Sequence, residues 1–337
     1  CANILFLCRL RRLSKEKLRK WMFFYIFAQK ITQNMEQKLV GRDTELKMLN
    51  EYINSDKSEF IAVYGRRRVG KTFLIRKAVK DEFAFFMTGM NGVAKSEQLV
   101  NFSIALQKYT HSATLQAFKS WILAFHALSQ YIETLPKGKK VIFIDELPWM
   151  DTAKSGFIPA LENFWNSWAV LRSDIKLIVC GSATSWMINN LIRNRGGLHN
   201  RLTHHLIVKP FSLHECEEYF KTYHFGYSRK QIAECYMVMG GIPYYLSMMD
   251  KSKSLAQNID QLFFADNAEL KDEFSDLYRA LFKKSADHIA VVTTLATKGV
   301  GMTRQELVKA SGCTDNGAFS TVLEELEQCG FIRLYEP

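Results

Sequence analysis

One octapeptide constrains the fold of this chain more than any other feature, the sequence G-R-R-R-V-G-K-T at residues 65–72. It matches the phosphate-binding pattern G-x-x-x-x-G-K-[ST], and it stands where that pattern requires, between a short apolar run and a helical stretch that begins at Lys71. The glycines allow the backbone to wrap around a phosphate, while N–H groups at the helix start supply positive potential. Lys71 reaches the β- and γ-phosphates and Thr72 ligates Mg²⁺. The octapeptide therefore predicts a strand–loop–helix unit, a P-loop, that binds ATP with Mg²⁺.

The residues predicted to contact the nucleotide are continuous along the loop and into the helix. They are Gly65, Arg66, Arg67, Arg68, Val69, Gly70, Lys71, Thr72 and Phe73. The three arginines have two interpretations, extra phosphate contacts or a solvated basic tip, and the second is favoured because exposed arginines are common.

Short apolar runs alternate with helical stretches over the first two thirds of the chain. The runs are 59–64, 83–87, 141–144, 175–180 and 204–208. Buried runs separated by helices predict an α/β domain, three layers thick, around a parallel sheet with right-handed crossovers. After residue 209 the pattern becomes purely helical, and the last fifty residues read as three helices followed by a strand from Phe331 to Tyr335, the pattern of a winged helix-turn-helix. We therefore expect a core at 35–209, a helical lid at 210–285 and a winged helix at 286–337 whose final strand is cut short.

Two further strand ends carry polar residues suited to catalysis. Asp145 and Glu146 follow the apolar run K-V-I-F-I at 140–144, and ligands of parallel sheets lie at that edge. Asp145 would hold the Mg²⁺ shell and Glu146 would act as general base toward water. Ser182 ends the run L-I-V-C-G; if that strand lies between the other two, Ser182 holds the water or the γ-phosphate, and otherwise it caps a helix. The same alternatives apply to Thr184.

Five boxes, in this order, resemble the archaeal-type ATPase family of the AAA+/STAND group of P-loop NTPases. They are V-G-R-D-T-E-L at 40–46, the P-loop, F-I-D-E-L at 143–147, G-S-A at 181–183 and G-G-I-P-Y at 240–244. The resemblance implies an AAA+-like core, with Val40, Gly41 and Arg42 beside the adenine and Pro243 of the lid facing the nucleotide. Asp43 departs from the glutamate usual in the first box. Members of the family often continue into a nuclease-like domain.

The resemblance also implies an arginine that senses the γ-phosphate from its own chain or from a neighbouring subunit, which would make the protein an oligomer. Arg193, Arg195 and Arg201 are the candidates, and Arg201, just before the last strand, is preferred for a catalytic role. Its alternative is pairing with an acidic surface group.

Charge and cysteine content limit the other classes of function. The net charge is +11, but residues 1–34 contribute +7 of it, so the rest of the chain carries an ordinary +4. We interpret 1–34 as an upstream extension before a start at Met35, with a basic membrane-surface helix as the alternative. Neither of the apolar runs in this segment is long enough to span a bilayer.

The seven cysteines form no C-x-x-C pair, which favours a reducing cytoplasm over a disulfide or zinc framework.

These features predict an ATPase that acts as a nucleotide-driven conformational switch on an unidentified protein partner. The alternatives are a DNA-binding protein whose ATPase gates loading, and a small-molecule kinase or GTPase. No N-K-x-D sequence follows the core, which argues against a GTPase, and Glu146 directly after Asp145 suits water activation better than transfer to a substrate. From Asp287 onward four basic residues stand against seven acidic ones, a net charge of −3 that argues against tight DNA binding by the last helices.

Overall fold

The structure is a computed structural model that describes residues 38–193, 197, 200–282 and 285–335. The chain divides into two compact units, residues 1–40 and 41–337, and all the elements below belong to the second. The interpretation of residues 1–34 and of Met35 falls outside the described residues. Over the described ranges, no helix combines the length and apolar character needed to cross a membrane.

Five parallel strands form the central sheet, as the alternating pattern predicted. They are β1 (Glu59–Tyr64), β2 (Phe85–Thr88), β3 (Lys140–Asp145), β4 (Ile175–Gly181) and β5 (His204–Ile207). Their order across the sheet is β2-β3-β4-β1-β5. Every residue of β1, β3 and β4 is buried, because helices cover both faces of these central strands.

The core helices connect the strands and supply one aromatic-rich layer. They are α1 (Asp43–Asn54), α2 (Lys71–Ala78), α3 (Lys95–Thr110), α4 (Trp121–Thr134), α5 (Phe157–Ser167) and the short α6 (Thr184–Trp186), which continues as a π-helical turn at Met187–Ile192; 3₁₀ turns lie at Leu147–Met150 and Ala169–Leu171. Trp121 packs edge-to-face against Phe102 and Phe157, with ring centroids 5.9 and 4.9 Å apart. These three buried rings belong to the apolar core that also contains residues of the central strands.

A helical segment follows the sheet. It contains α7 (Leu213–Thr222), α8 (Arg229–Met239), α9 (Pro243–Ser247), α10 (Leu255–Ile259) with a π-helical turn at Asp260–Phe264, and α11 (Glu273–Leu281). Ser212 and Ser228 start α7 and α8, and each hydroxyl accepts a hydrogen bond from a backbone N–H three residues ahead. We call residues 210–282 the lid.

Three more helices end the described chain: α12 (Ser285–Lys298), α13 (Arg304–Ser311) and α14 (Gly317–Gln328). They share a small apolar core with Tyr278 and Phe282, which come from the lid side of the predicted boundary at residue 285. That boundary stays a prediction.

The strand predicted from Phe331 to Tyr335 is wrong, because these last described residues form no strand. The Phe331 N–H donates to the carbonyl of Leu326, and the Leu334 N–H donates to Glu327 Oε1, so the end of α14 uses backbone groups that a strand would need. The described residues of this region form three helices and no strand, so the winged helix stays a prediction.

Candidate nucleotide-binding site

The predicted site residues converge at the carboxyl edge of the sheet because of the strand order. β4 lies between β1 and β3, with Ile61 of β1 beside Ile178 and Ile142 of β3 beside Leu177. This is the arrangement that the interpretation of Ser182 required. The P-loop, the pair of carboxylates and Ser182 each follow one of three adjacent strands.

The P-loop backbone takes conformations that its glycines permit. Gly65 has φ +145°, and a Cβ there would lie 2.2 Å from the carbonyl oxygen of Val208. Gly70 has φ +90° and directly precedes α2. Lys71 is buried, and its Nζ donates to the carbonyls of Gly65 and Arg66 at 3.0 and 2.9 Å. The ammonium is thus held inside the loop, where a phosphate would be enclosed.

Thr72 and Asp145 meet across the P-loop and β3. The Thr72 hydroxyl donates to Asp145 Oδ2 at 2.9 Å, and the backbone N–H of Glu146 donates to Oδ1 at 3.0 Å. Burial raises the pKa of Asp145, while the hydrogen bond from Thr72 opposes that rise.

Glu146 and Ser182 form the second contact of the site. The Ser182 hydroxyl and N–H both donate to Glu146 Oε2, at 2.9 and 3.2 Å. Burial raises the pKa of Glu146, and the positive charge of Lys71 acts in the opposite direction. Glu146 also has φ +48°, a left-handed conformation that is uncommon for glutamate. Ser182 therefore contacts the second carboxylate directly, and Thr184 lies buried at the start of α6.

The donor set fits the magnesium nucleotide that the sequence implies. A hydroxyl and a carboxylate in contact are the hard oxygen ligands that Mg²⁺ prefers. Asp145 is buried and Glu146 is partly buried. Among the described groups that affect the pKa values of these two carboxylates, Lys71 is the positively charged one. A divalent cation at Thr72 and Asp145 would offset the cost of burying them.

Phe211 links the first and last boxes of the resemblance on the flank of the P-loop. Arg42 is buried, and its guanidinium donates to the carbonyls of Lys209 and Val69 at 2.7 and 3.3 Å. It also lies 4.7 Å from the ring centroid of Phe211, whose N–H donates to the carbonyl of Gly241 at 2.7 Å. The structure thus joins the two segments predicted to enclose the adenine.

The other residues predicted to contact the nucleotide lie in several elements of the structure. Gly41 precedes Arg42 and packs against Glu215, since a Cβ there would lie 2.8 Å from Glu215 Oε1. Pro243 is the first residue of α9, and Phe73 is partly buried in the first turn of α2. Val40 belongs to the first compact unit, so it stays a prediction.

The solvated basic tip predicted for the P-loop arginines is wrong for two of the three side chains. Arg66 and Arg68 are partly buried against other parts of the chain, and their contact with a phosphate stays a prediction. The Arg66 guanidinium lies 4.3 Å from the ring centroid of Phe331, and burial lowers its pKa. Arg68 forms an ion pair of 2.6 Å with Glu273. Arg67 lines a cavity of about 190 Å³ together with residues of the lid and the end of the chain.

Glu273 and Phe331 were missed by sequence reasoning. Neither belongs to a recognisable motif, and each contacts the P-loop from a distant part of the chain. No local signal in the sequence indicates such contacts.

The structure separates the arginine candidates. Arg201 is exposed and lies two residues before Thr203, which hydrogen bonds with Phe60 at the amino end of β1. The P-loop starts at the other end of β1, about 17–20 Å away at ~3.3 Å per residue. Action of Arg201 on its own chain's nucleotide, one of the two expected modes, is therefore wrong. Arg193 is closer to the P-loop, since its charge acts on the pKa of Tyr64 at the end of β1, and Arg195 falls outside the described residues.

Comparisons with known proteins agree with this geometry. Residues 39–249 match the family described as an ATPase domain predominantly from Archaea. An uncharacterized protein of Methanocaldococcus jannaschii is 29% identical over 207 residues, which are 61% of this chain and 43% of that protein. An uncharacterized ATP-binding protein of the same archaeon is 46% identical over 43 residues, 13% of this chain and 73% of its own. The match to the first relative thus spans less than half of that relative's length.

Solved structures share the fold at low identity. The Walker-type ATPase PABY2304 of Pyrococcus abyssi superposes with a TM-score of 0.54 and 16% identity, covering 86% of this chain and 90% of its own. The ORC2 protein of Aeropyrum pernix, in its ADPNP–ADP complexes, gives 0.51 and 14%, covering 88% and 89%. At such identity the likeness concerns the fold alone. Since the family match covers more than half of the 337 residues, this chain belongs to the family of ATPase domains found predominantly in archaea, and residues 39–249 form the ATP-hydrolysing domain of a P-loop NTPase.

Proposed function

We propose that this protein hydrolyses ATP with Mg²⁺ and uses the cycle as a conformational switch. One observation carries the hydrolytic part: two adjacent carboxylates lie at the P-loop, the buried Asp145 bonded to Thr72 at 2.9 Å and the partly buried Glu146 bonded to Ser182 at 2.9 Å. A P-loop that only bound a nucleotide would need the first carboxylate and not the second.

Each binding residue has a distinct role in this proposal. Lys71, now held by loop carbonyls, moves its ammonium to the β- and γ-phosphate oxygens when ATP enters. Thr72 and Asp145 would hold Mg²⁺, which when bound neutralises charge on those oxygens. Arg42 and the turn before Pro243 form the flank on which the adenine lies.

Glu146 activates the water. Its carboxylate accepts a proton as the water oxygen attacks the γ-phosphorus, the bond from that phosphorus to the β–γ bridging oxygen breaks, and ADP and phosphate leave. Ser182 fixes the orientation of the carboxylate because both of its hydrogen bonds go to one oxygen. We retain Arg201 only as a residue that acts on the nucleotide of a neighbouring copy.

The switch rests on contacts between the site and the C-terminal helices. Phe331 stacks on Arg66 of the P-loop, and Cys329 Sγ lies 3.9 Å from the hydroxyl of Ser185, three residues after Ser182. These residues, which directly follow α14, therefore contact both the P-loop and α6, the helix that begins just after Ser182. If nucleotide binding moves the P-loop or the end of β4, the surface against which Cys329 and Phe331 pack also changes. A nucleotide would change the conformation of the chain in this way.

Hydrogen–deuterium exchange tests the switch in a protein that carries no attached probe. We would compare the nucleotide-free protein, the ADP complex and the Glu146→Gln variant saturated with ATP. The proposal expects exchange at residues 64–70 and 325–335 to differ between the ATP and ADP states. If exchange at 325–335 is identical in all three states and the parental protein still hydrolyses ATP, the protein is an ATPase and the proposed switch is wrong.

A further inference from the structure

The middle of the P-loop is held from outside by the lid. Arg68 has φ +70°, a left-handed conformation that costs free energy in any residue other than glycine. Such a conformation persists only where surrounding contacts impose it. The contacts on Arg68 therefore decide whether the loop keeps the shape that encloses a phosphate.

Among the described residues, the lid makes four contacts with Arg68. The guanidinium forms an ion pair with Glu273 Oε2 at 2.6 Å and lies 4.4 Å from the ring centroid of Tyr244 and 5.6 Å from that of Tyr245. The carbonyl of Arg68 accepts a hydrogen bond from the Tyr244 N–H at 3.4 Å. Side chain and backbone are thus both fixed.

Glu273 is the centre of this arrangement. While Oε2 pairs with Arg68, Oε1 accepts a hydrogen bond of 2.8 Å from the Tyr245 hydroxyl. Burial raises the pKa of Tyr245, so the hydroxyl keeps its proton and remains a donor. Only 12% of the Glu273 side chain is exposed, so water screens this ion pair far less than a surface pair.

We propose that Glu273 is a positioning residue for the P-loop, which anchors Arg68 and so keeps the loop in its phosphate-binding shape. Arg68 is then a lid anchor and not a phosphate ligand. The lid and the loop move together, so the lid senses nucleotide occupancy through this ion pair. The inference rests on the proposed ATP site and adds the residue that couples it to the lid.

Glu273→Gln tests this role, because the amide keeps the shape and can still accept from Tyr245 but loses the charge. A hydrogen bond to a charged group contributes enough free energy to change the equilibrium between the phosphate-binding shape of the loop and other shapes by about tenfold or more. We expect KM for ATP to rise about tenfold with kcat near the parental value, since Glu273 contacts none of the groups proposed for the chemistry. Asp276→Asn is the matched control: it removes the same charge one turn along α11 from an exposed pair with Arg279, and it should leave KM unchanged.

A double-mutant cycle separates this role from a direct phosphate contact. Arg68→Gln alone should raise KM, and adding Glu273→Gln should raise it little further, because the two residues act as one pair. Additive effects would mean that Arg68 and Glu273 act separately, and would overturn the proposal. So would an unchanged KM in Glu273→Gln.

Two checks keep the result interpretable. If Glu273→Gln fails to fold by circular dichroism, Tyr245→Phe removes only one hydrogen bond to the same carboxylate and should raise KM roughly threefold; an unchanged KM there overturns the proposal. If the parental protein binds and hydrolyses ATP and Glu273→Gln has the same KM, this inference is refuted and the proposed function is not. A parental protein that does not bind ATP refutes the proposed function and this inference with it.

Discussion

Glu146→Gln is the substitution for which the structure predicts the clearest separation of binding from catalysis. Both hydrogen bonds from Ser182 go to one carboxylate oxygen, and the carbonyl oxygen of glutamine can accept both. Burial raises the pKa of Glu146, which means that the site disfavours the ionised group, so a neutral side chain imposes no new burial cost. The fold and the binding of ATP should therefore survive.

Hydrolysis should not survive, because the amide cannot take a proton from water. Loss of a general base lowers rates by about 10²- to 10⁴-fold, which is about 3 to 5.5 kcal/mol of transition-state stabilisation at ~1.4 kcal/mol per factor of ten. The assay is single-turnover hydrolysis of γ-labelled ATP with enzyme in excess, so that slow product release does not hide the chemical step. ATP affinity is measured in parallel by calorimetry.

Glu82→Gln is the control, since Glu82 is exposed and stands apart from the site residues. It should hydrolyse ATP at the parental rate. If Glu146→Gln binds ATP and still turns it over within about threefold of the parental rate, far less than a lost base costs, Glu146 is not the base and the reasoning from its geometry fails.

Three other predictions follow from the site and the charges. Asp145→Asn should raise the Mg²⁺ concentration needed for half-maximal activity by at least about tenfold, because it removes a charged ligand beside Thr72; a metal titration of the ATPase rate measures this, and an unchanged midpoint would remove Asp145 from the metal site. GTP should compete poorly with labelled ATP, because the flank at Arg42 and Pro243 is expected to bind adenine; equal competition by both nucleotides would contradict that expectation. Protein started at Met35 should not bind duplex DNA at sub-micromolar concentration, since α14 carries three glutamates and no lysine or arginine; fluorescence anisotropy at several salt concentrations checks this, and tight, steeply salt-dependent binding would favour the DNA-loading alternative.

The parts of the site that could be read from the sequence are those that depend on local pattern. Gly65 and Gly70 are required by backbone conformations within the loop itself, and Asp145 needs only a buried strand before it. The carboxyl ends of parallel strands lie at one edge of the sheet. Because β4 lies between β1 and β3, the P-loop, Asp145 and Ser182 come together at that edge.

The parts that could not be read depend on contacts between segments far apart in the sequence. Three consecutive arginines predict a solvated tip when nothing is known of what covers them, and the structure covers two of them with Glu273 and Phe331. Phe331 also explains the wrong strand: alternating apolar residues predict a strand, but a strand needs a partner, and here the side chain packs against Tyr278 with ring centroids 4.9 Å apart.

Arg201 illustrates a different limit. A position just before a strand is easy to predict, but its distance from the P-loop depends on the end of the sheet to which it belongs. Because β5 runs parallel to β1, a residue before β5 lies at the amino edge, opposite the nucleotide.

Titration of a slowly hydrolysed ATP analogue with Mg²⁺ into parental protein and into Lys71→Ala, followed by calorimetry, tests whether the nucleotide binds at the P-loop. Lys71 Nζ is held by two loop carbonyls, and in a P-loop this lysine reaches the phosphates. We expect saturable binding to the parental protein and no measurable binding to a Lys71→Ala variant that melts at a similar temperature. Equal affinity in the two proteins would show that the nucleotide does not bind at this loop.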